Sequence, residues 1–194
     1  MLVPAVAILL AGCAIPHSDD RPLRTEPVET YVAVFERYNE ARRSLPIAEL
    51  ESAFRIYIDD SSSENRRRLD RAYRALDVSR ILDFRREATN ASLYECLEHV
   101  ECGAYAKGTM KSWAMAQFTP ISICRGEDAQ WARLNYRGTS EDGITANGAV
   151  EFVKEAGAWK ISIEAFGEPE DSERNELFQA ACEDASARDA QLSR

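Results

Sequence analysis

Between Pro27 and Ser44 the apolar residues Tyr31, Val34, Phe35 and Tyr38 recur at i, i+3, i+4 and i+7. That is the repeat of a helix with one face buried, and the charged residues fall opposite. Pro27 suits the first turn, where a missing N–H costs nothing. Leu45-Pro46 ends this helix, and Pro46 opens a second, about Ile47 to Ile58, with Leu50, Phe54, Tyr57 and Ile58 on one side. Asp59 to Ser63 is polar turn material. Within it Ser61-Ser62-Ser63-Glu64 has the Ser-x-x-Glu spacing of a capping box. A third helix follows, about Asn65 to Leu76, with Leu69, Ala72, Tyr73 and Leu76 as its stripe. Further on, Ile81 to Phe84 reads as a short strand. Thr109 to Phe118 alternates weakly, with Trp113 and Met115 on one face.

The period then changes from helical to strand-like. Ala129 to Tyr136 alternates, placing Ala132, Leu134 and Tyr136 together and Trp131 with Arg133 on the other face. Gly138 to Gly148 reads as a loop, with Asp142-Gly143 and Asn147-Gly148 as turn dipeptides. Ala149 to Lys154 and Ala158 to Ile163 flank Glu155-Ala156-Gly157, a hairpin pattern. Its second arm points Trp159, Ile161 and Ile163 inward and Lys160 and Ser162 outward. Glu168-Pro169-Glu170-Asp171 breaks the pattern, and a last helix, about Ser172 to Ala187, turns Leu177, Phe178, Ala181 and Cys182 inward. Helices followed by antiparallel strands predict an α+β fold: N-terminal helices packed on a curved, cone-like antiparallel sheet, with a C-terminal helix.

The composition agrees with such a domain. Of 194 residues, 45% are hydrophobic and 29% charged, enough for a single buried core. The division expected is an export signal over 1–12, a flexible tether over 13–27, one α+β domain over 28–188 and a polar tail over 189–194. A net charge of -9, from 24 Lys+Arg against 33 Asp+Glu, excludes nucleic acid as a natural partner. Only His17 and His99 are present, which leaves little for histidine chemistry. Gly-x-Ser-x-Gly, His-Glu-x-x-His and the dinucleotide fingerprint do not occur. Gly103 to Thr109 lacks the Gly-Lys-Ser/Thr order of a phosphate loop. No cofactor and no metal is expected.

Leu2 to Ala11 is an uncharged run of ten residues, half of the roughly 20 that a membrane-spanning helix needs. It ends on Leu10-Ala11-Gly12-Cys13, which resembles the lipobox of bacterial lipoproteins. The resemblance implies that Cys13 is acylated after cleavage before it. Two or more acyl chains hold a protein stably on a bilayer without a spanning helix. Ala14 in place of an aspartate points to the periplasmic face of the outer membrane. Ile15 to Pro27, rich in proline and charge, reads as the tether.

Four cysteines then remain: Cys96, Cys102, Cys124 and Cys182. An even number in an exported chain suggests disulfides, with three possible connectivities. Cys96 with Cys102 and Cys124 with Cys182 is the favoured set, worth roughly 2 and 4 kcal/mol in the chain-entropy model. Cys96, His99 and Cys102 nominally offer three zinc ligands, but their spacing matches no standard zinc site. On the third helix Arg66, Arg67, Arg71 and Arg74 form a basic patch, a contact surface for lipid headgroups or an acidic partner, or simply a solvated face.

Ala129 to Gly138 followed by Val150 to Ile161, with its Gly157-Ala158-Trp159-Lys160-Ile161 run, resembles the last strands of nuclear transport factor two-like (SnoaL-like) domains. It is similar above all to small bacterial lipoproteins with that domain. The resemblance implies a cone whose open end holds a small ligand, hosts catalysis or meets a partner. The expectation is therefore a membrane-tethered, non-catalytic binding or scaffold domain of the cell envelope. The alternative is a small-ligand-binding protein or enzyme using a cone-shaped pocket, lined by residues such as Tyr136 and Trp131.

Overall fold

Why the apolar stripe of the first helix meets the sheet is visible in a computed structural model that describes residues 26–126, 129–167 and 181–184. Helix α1 (Val28–Arg43) starts after Pro27, whose φ of -65° is the value its ring imposes. Tyr31, Val34, Phe35 and Tyr38 are buried as their spacing requires. The Tyr31 ring lies against Phe152 and Trp159 of the sheet, at 5.5 and 4.9 Å between centroids. Phe35 meets Tyr136 and Phe118, each at 4.9 Å. Such tilted and edge-on pairs suit the ring quadrupoles.

Helices α2 (Ala48–Asp59) and α3 (Ser63–Ala75) pack on each other and on a later helix, α6 (Val100–Ser112). Leu50 and Ala53 are buried, but Ile58 is 65% exposed, contrary to its expected inward place. At 100° per residue it lies about 140° around the helix from Ala53, off the packed face. Helix α3 is capped by Ser62, whose Oγ accepts from the Asn65 N–H at 3.4 Å, one residue beyond the expected Ser61. Its far end is held from outside. Buried Lys107 donates from Nζ to the carbonyls of Tyr73 and Leu76, at 2.8 and 2.5 Å.

Ile81 to Phe84 is not a strand. Asp77 accepts from the Ser79 N–H and hydroxyl and starts a short helix, α4 (Ser79–Leu82). Extended pairing begins one step later: the Ile161 N–H donates to Phe84 O and the Arg86 N–H to Ile161 O, both at 2.8 Å. This parallel bridge covers the outer edge of the sheet locally, where bare backbone groups would invite pairing with other chains. A 3-10 turn at Glu87–Asn90 leads to α5 (Ala91–Glu98) and α6 (Val100–Ser112), which are divided at His99 by its extended backbone. Among the described residues no helix is long and apolar enough to cross a membrane.

Strands β1 (Met115–Arg125), β2 (Trp131–Ser140), β3 (Thr145–Glu155) and β4 (Ala158–Phe166) form an antiparallel meander. A short strand, β5 (Ala181–Asp184), lies beside β1, so the order is β4-β3-β2-β1-β5. The stretch from Ser172 to Ala187 was expected to be helical; at Ala181–Asp184 it is a strand, and the remainder lies outside the described residues. Pairing to β1 decides this: Cys182 sits opposite Cys124 and the two are disulfide-bonded. Cys96 and Cys102 form the second disulfide, across the break between α5 and α6.

Ala132, Leu134 and Tyr136 share the buried face of β2, as their alternation predicts. The expected loop from Gly138 to Gly148 is smaller: β2 runs on to Ser140, and the turn spans Ser140 to Gly143 with Glu141 and Asp142 at its centre. Gly148 belongs to β3. A Cβ there would lie 2.5 Å from Tyr136 Cζ, so glycine serves close approach rather than turning. Likewise Thr109 to Phe118 divides into the end of α6 and the start of β1, and Trp113 is 54% exposed at the helix end. In the last hairpin, Ala156 and Gly157 have φ of 49° and 83°. Positive values at both central residues define a type I′ turn, which matches the twist of the flanking strands.

Two outcomes follow from this framework. Alanine in left-handed backbone is strained by about 1 kcal/mol, whereas asparagine tolerates it. Ala156→Asn therefore raises stability by about 0.5–1 kcal/mol in urea unfolding, with an unchanged m-value. Cys182→Ser opens a 58-residue separation and costs about 4 kcal/mol by the same assay.

Candidate functional site

The long edge of α1 carries a charge where a hydrophobe would be expected. Arg42 continues the buried line of Phe35 and Tyr38 and is only 2% exposed. Its Nε donates to Met110 O at 2.6 Å, and its Nη1 donates to both carboxylate oxygens of Glu164, at 2.7 and 2.9 Å. Glu164 is itself 9% exposed. Burial opposes the charge of Arg42, but Glu164 beside it outweighs that and holds its pKa above the ordinary guanidinium value.

Glu164 reaches this place through an irregularity in β4. Alternation from Trp159 and Ile161 would send Ile163 inward and Glu164 out. Phe152 instead pairs with Ile161 and Glu151 with Ile163, which leaves Ser162 without a counterpart on β3. One extra residue exchanges the faces from there on. Ile163, expected in the core, is 42% exposed, Ser162, expected outward, is buried, and Glu164 turns toward α1.

Two more groups complete the cluster. Arg85 Nη1 donates to the Tyr38 hydroxyl at 2.6 Å, and that hydroxyl donates to Glu164 Oε2 at 3.4 Å. Arg85 is brought here by the Phe84–Arg86 bridge to β4. Both guanidinium groups lie over the Tyr38 ring, at 4.8 and 5.9 Å from its centre. Burial and the Glu164 charge push the Tyr38 phenol up from its ordinary value, the two arginines opposing. It therefore stays protonated and able to donate.

This cluster forms the polar end of a cleft of about 480 Å³ between α1, α5, α6 and β4. That lies within the range of about 300–1,000 Å³ typical of small-molecule sites. The other walls are mostly apolar: Leu93 from α5, Ala106 and Met110 from α6, and the Cys96–Cys102 disulfide. Tyr105 and Trp113 stand exposed at its rim. Opposite charges and donors gathered at one end of an apolar cleft can orient a ligand. Both Glu164 oxygens are already engaged by Arg42, so neither is presented to a substrate as a ready base.

The residues singled out in the sequence fall elsewhere or at the rim. Tyr136 is wholly buried in the core against Phe35 and Phe118, and Trp131 is half-buried at the start of β2; neither lines the cleft. Cys96 and Cys102 do line it, as a disulfide that consumes both thiolates a zinc ion would need. Among the described residues no group of three His, Cys, Asp or Glu could hold a metal ion. In the basic patch, Arg66 pairs with Glu101 and lies over Tyr57, and Arg74 pairs with Asp70. Arg67 and Arg71 are exposed on α3. Cys13 and His17 lie outside the described residues.

The cleft's own charged residues are not among those the sequence pattern singles out. Arg42 was legible as a charge on the apolar stripe of α1, four residues after Tyr38. Glu164 and Arg85 carried no such signal, because a bulge and a long-range bridge place them.

Glu164→Ala leaves a buried guanidinium without its counter-ion. It costs about 3–5 kcal/mol in chemical denaturation, and the double variant with Arg42→Met recovers most of that loss. No family model matches this chain, and no curated protein or solved structure matches it either.

Proposed function

We propose that the chain is a cell-envelope lipoprotein, anchored through acylated Cys13, whose domain binds a small ligand without transforming it. The observation that carries the binding reading is the cleft of about 480 Å³ closed at one end by the Arg42–Glu164–Tyr38–Arg85 cluster. Apolar walls with a few convergent polar groups are the usual make-up of a ligand site. On this reading the sheet curls over α1 as the wall of a cone, and the cleft is its mouth.

The anchoring reading rests on Leu10-Ala11-Gly12-Cys13 after an apolar run too short to span a bilayer. Two disulfides are in keeping with an oxidising compartment. The expected location is the periplasmic face of the outer membrane. Residues 13–27 tether the domain there, and the exposed Arg67 and Arg71 on α3 are the face assigned to the acidic envelope surface.

Growth with an alkyne fatty acid labels the wild-type chain, and Cys13→Ser abolishes the label and moves the chain out of the membrane fraction. Native mass spectrometry of the released Cys13→Ser chain shows one bound small molecule per chain. An unlabelled wild-type chain overturns the anchor. A chain that always emerges without a ligand counts against the cleft.

A further inference from the structure

The cleft's polar end is unequally satisfied, and that inequality names a ligand class. This inference rests on the cleft being a binding site. Arg42 spends Nε on the Met110 carbonyl and Nη1 on Glu164. Its third nitrogen, Nη2, makes no hydrogen bond to another described residue. It is not among the unpartnered atoms sealed from solvent, such as Tyr136 Oη and Trp159 Nε1. Arg42 as a whole is 2% exposed and lines the cleft, so the small open edge that Nη2 keeps is assigned to the cleft. A guanidinium donates and never accepts. The complementary head group is therefore an acceptor, and an anionic one gains charge-assisted hydrogen bonds.

Glu164 narrows the choice further. Its carboxylate lies within 3 Å of Arg42 Nη1, and a second full charge of the same sign beside it repels. A dianionic phosphate carries that penalty twice over, whereas a carboxylate carries one charge and is planar like the guanidinium edge. A cationic head meets Arg42 and Arg85 instead. The remaining walls fix the other end of the molecule. Leu93, Ala106, Met110 and a disulfide make most of that wall apolar; Ser92 and Thr109 add two hydroxyls, that of Thr109 already donating to Tyr105 O, and Tyr105 and Trp113 flank the opening with rings. A hydrocarbon tail satisfies them.

We propose that the cleft binds a monocarboxylate with an apolar body, of medium-chain fatty-acid type, its carboxylate on Arg42 Nη2 and its tail along α6 toward Trp113. Trp113 is a built-in reporter, since of the three tryptophans it lines the cleft while Trp131 and Trp159 do not. Arg42 acts here as a binding residue. Glu164 positions it.

The test uses the exported Cys13→Ser chain, purified without detergent. Dodecanoate, dodecanol, dodecylamine and dodecyl phosphate are titrated below their micellar concentrations, with calorimetry and tryptophan emission as readouts. Dodecanoate is expected to bind one per chain, at least tenfold more tightly than the other three, and to change the emission of Trp113. Trp113→Phe removes the optical signal and leaves the calorimetric one. Ala106→Trp, on the cleft wall, abolishes binding without lowering the Tm. Arg42→Gln abolishes the preference for dodecanoate; the head-group series on unaltered cleft residues decides the matter should that variant not fold. Equal binding of all four, or preference for the amine or the phosphate, overturns the carboxylate assignment and leaves the cleft as a site. No binding of any, or binding indifferent to Ala106→Trp, overturns the cleft reading itself.

Discussion

A guanidinium taken out of water between a helix and a sheet must be neutralised where it lies. Arg42 is that group, and Glu164 is what makes its position tenable. The pair joins α1 to β4, far apart in sequence, and ties in α6 through the Met110 carbonyl. Several otherwise separate features serve this one contact. The bulge at Ser162 turns Glu164 inward, the Phe84–Arg86 bridge delivers Arg85, and Tyr38 passes a hydrogen bond between Arg85 and Glu164. A buried ion pair adds little net stability over hydrophobes of the same shape, because desolvation offsets attraction. The pair therefore fixes the mutual position of α1, α6 and β4 rather than adding net stability, and it lies at one end of the cleft.

The remaining core does the stabilising. Aromatic rings from α1 meet the sheet face, while α2, α3 and α6 bury their own stripes together. The two disulfides act at the margins of this core: one fixes β5 beside β1, the other bridges the break between α5 and α6 and forms part of the cleft wall. Where the cleft opens, two aromatic side chains remain exposed rather than packed. An apolar side chain left in water at the edge of a hollow costs free energy.

Much of the architecture was legible along the chain. Tyr31, Val34, Phe35 and Tyr38 declared α1, Leu69, Ala72, Tyr73 and Leu76 declared α3, and Ala132, Leu134 and Tyr136 declared the inner face of β2. Each rests on a period that the residues express alone. The misreadings share a different origin. Gly148 resembled a turn residue but makes room for the Tyr136 ring; Ile163 followed the alternation but lies beyond a bulge; Ala181 to Cys182 fit a helical stripe but pair with β1.

The sequence by itself determined the helices between Pro27 and Leu76, the extended segments between Ala129 and Ile163, where the last hairpin turns, and which chemistry is scarce; α5, α6 and β1 were not read from it. Those properties depend on neighbours within a few residues. Tertiary structure alone decided which carboxylate answers Arg42, which strand β5 joins and that a cleft exists between α1, α5, α6 and β4. A bulge is a mismatch between two strands, and a hollow is a space between several elements. Neither is a property of any one segment, so neither is written in its period.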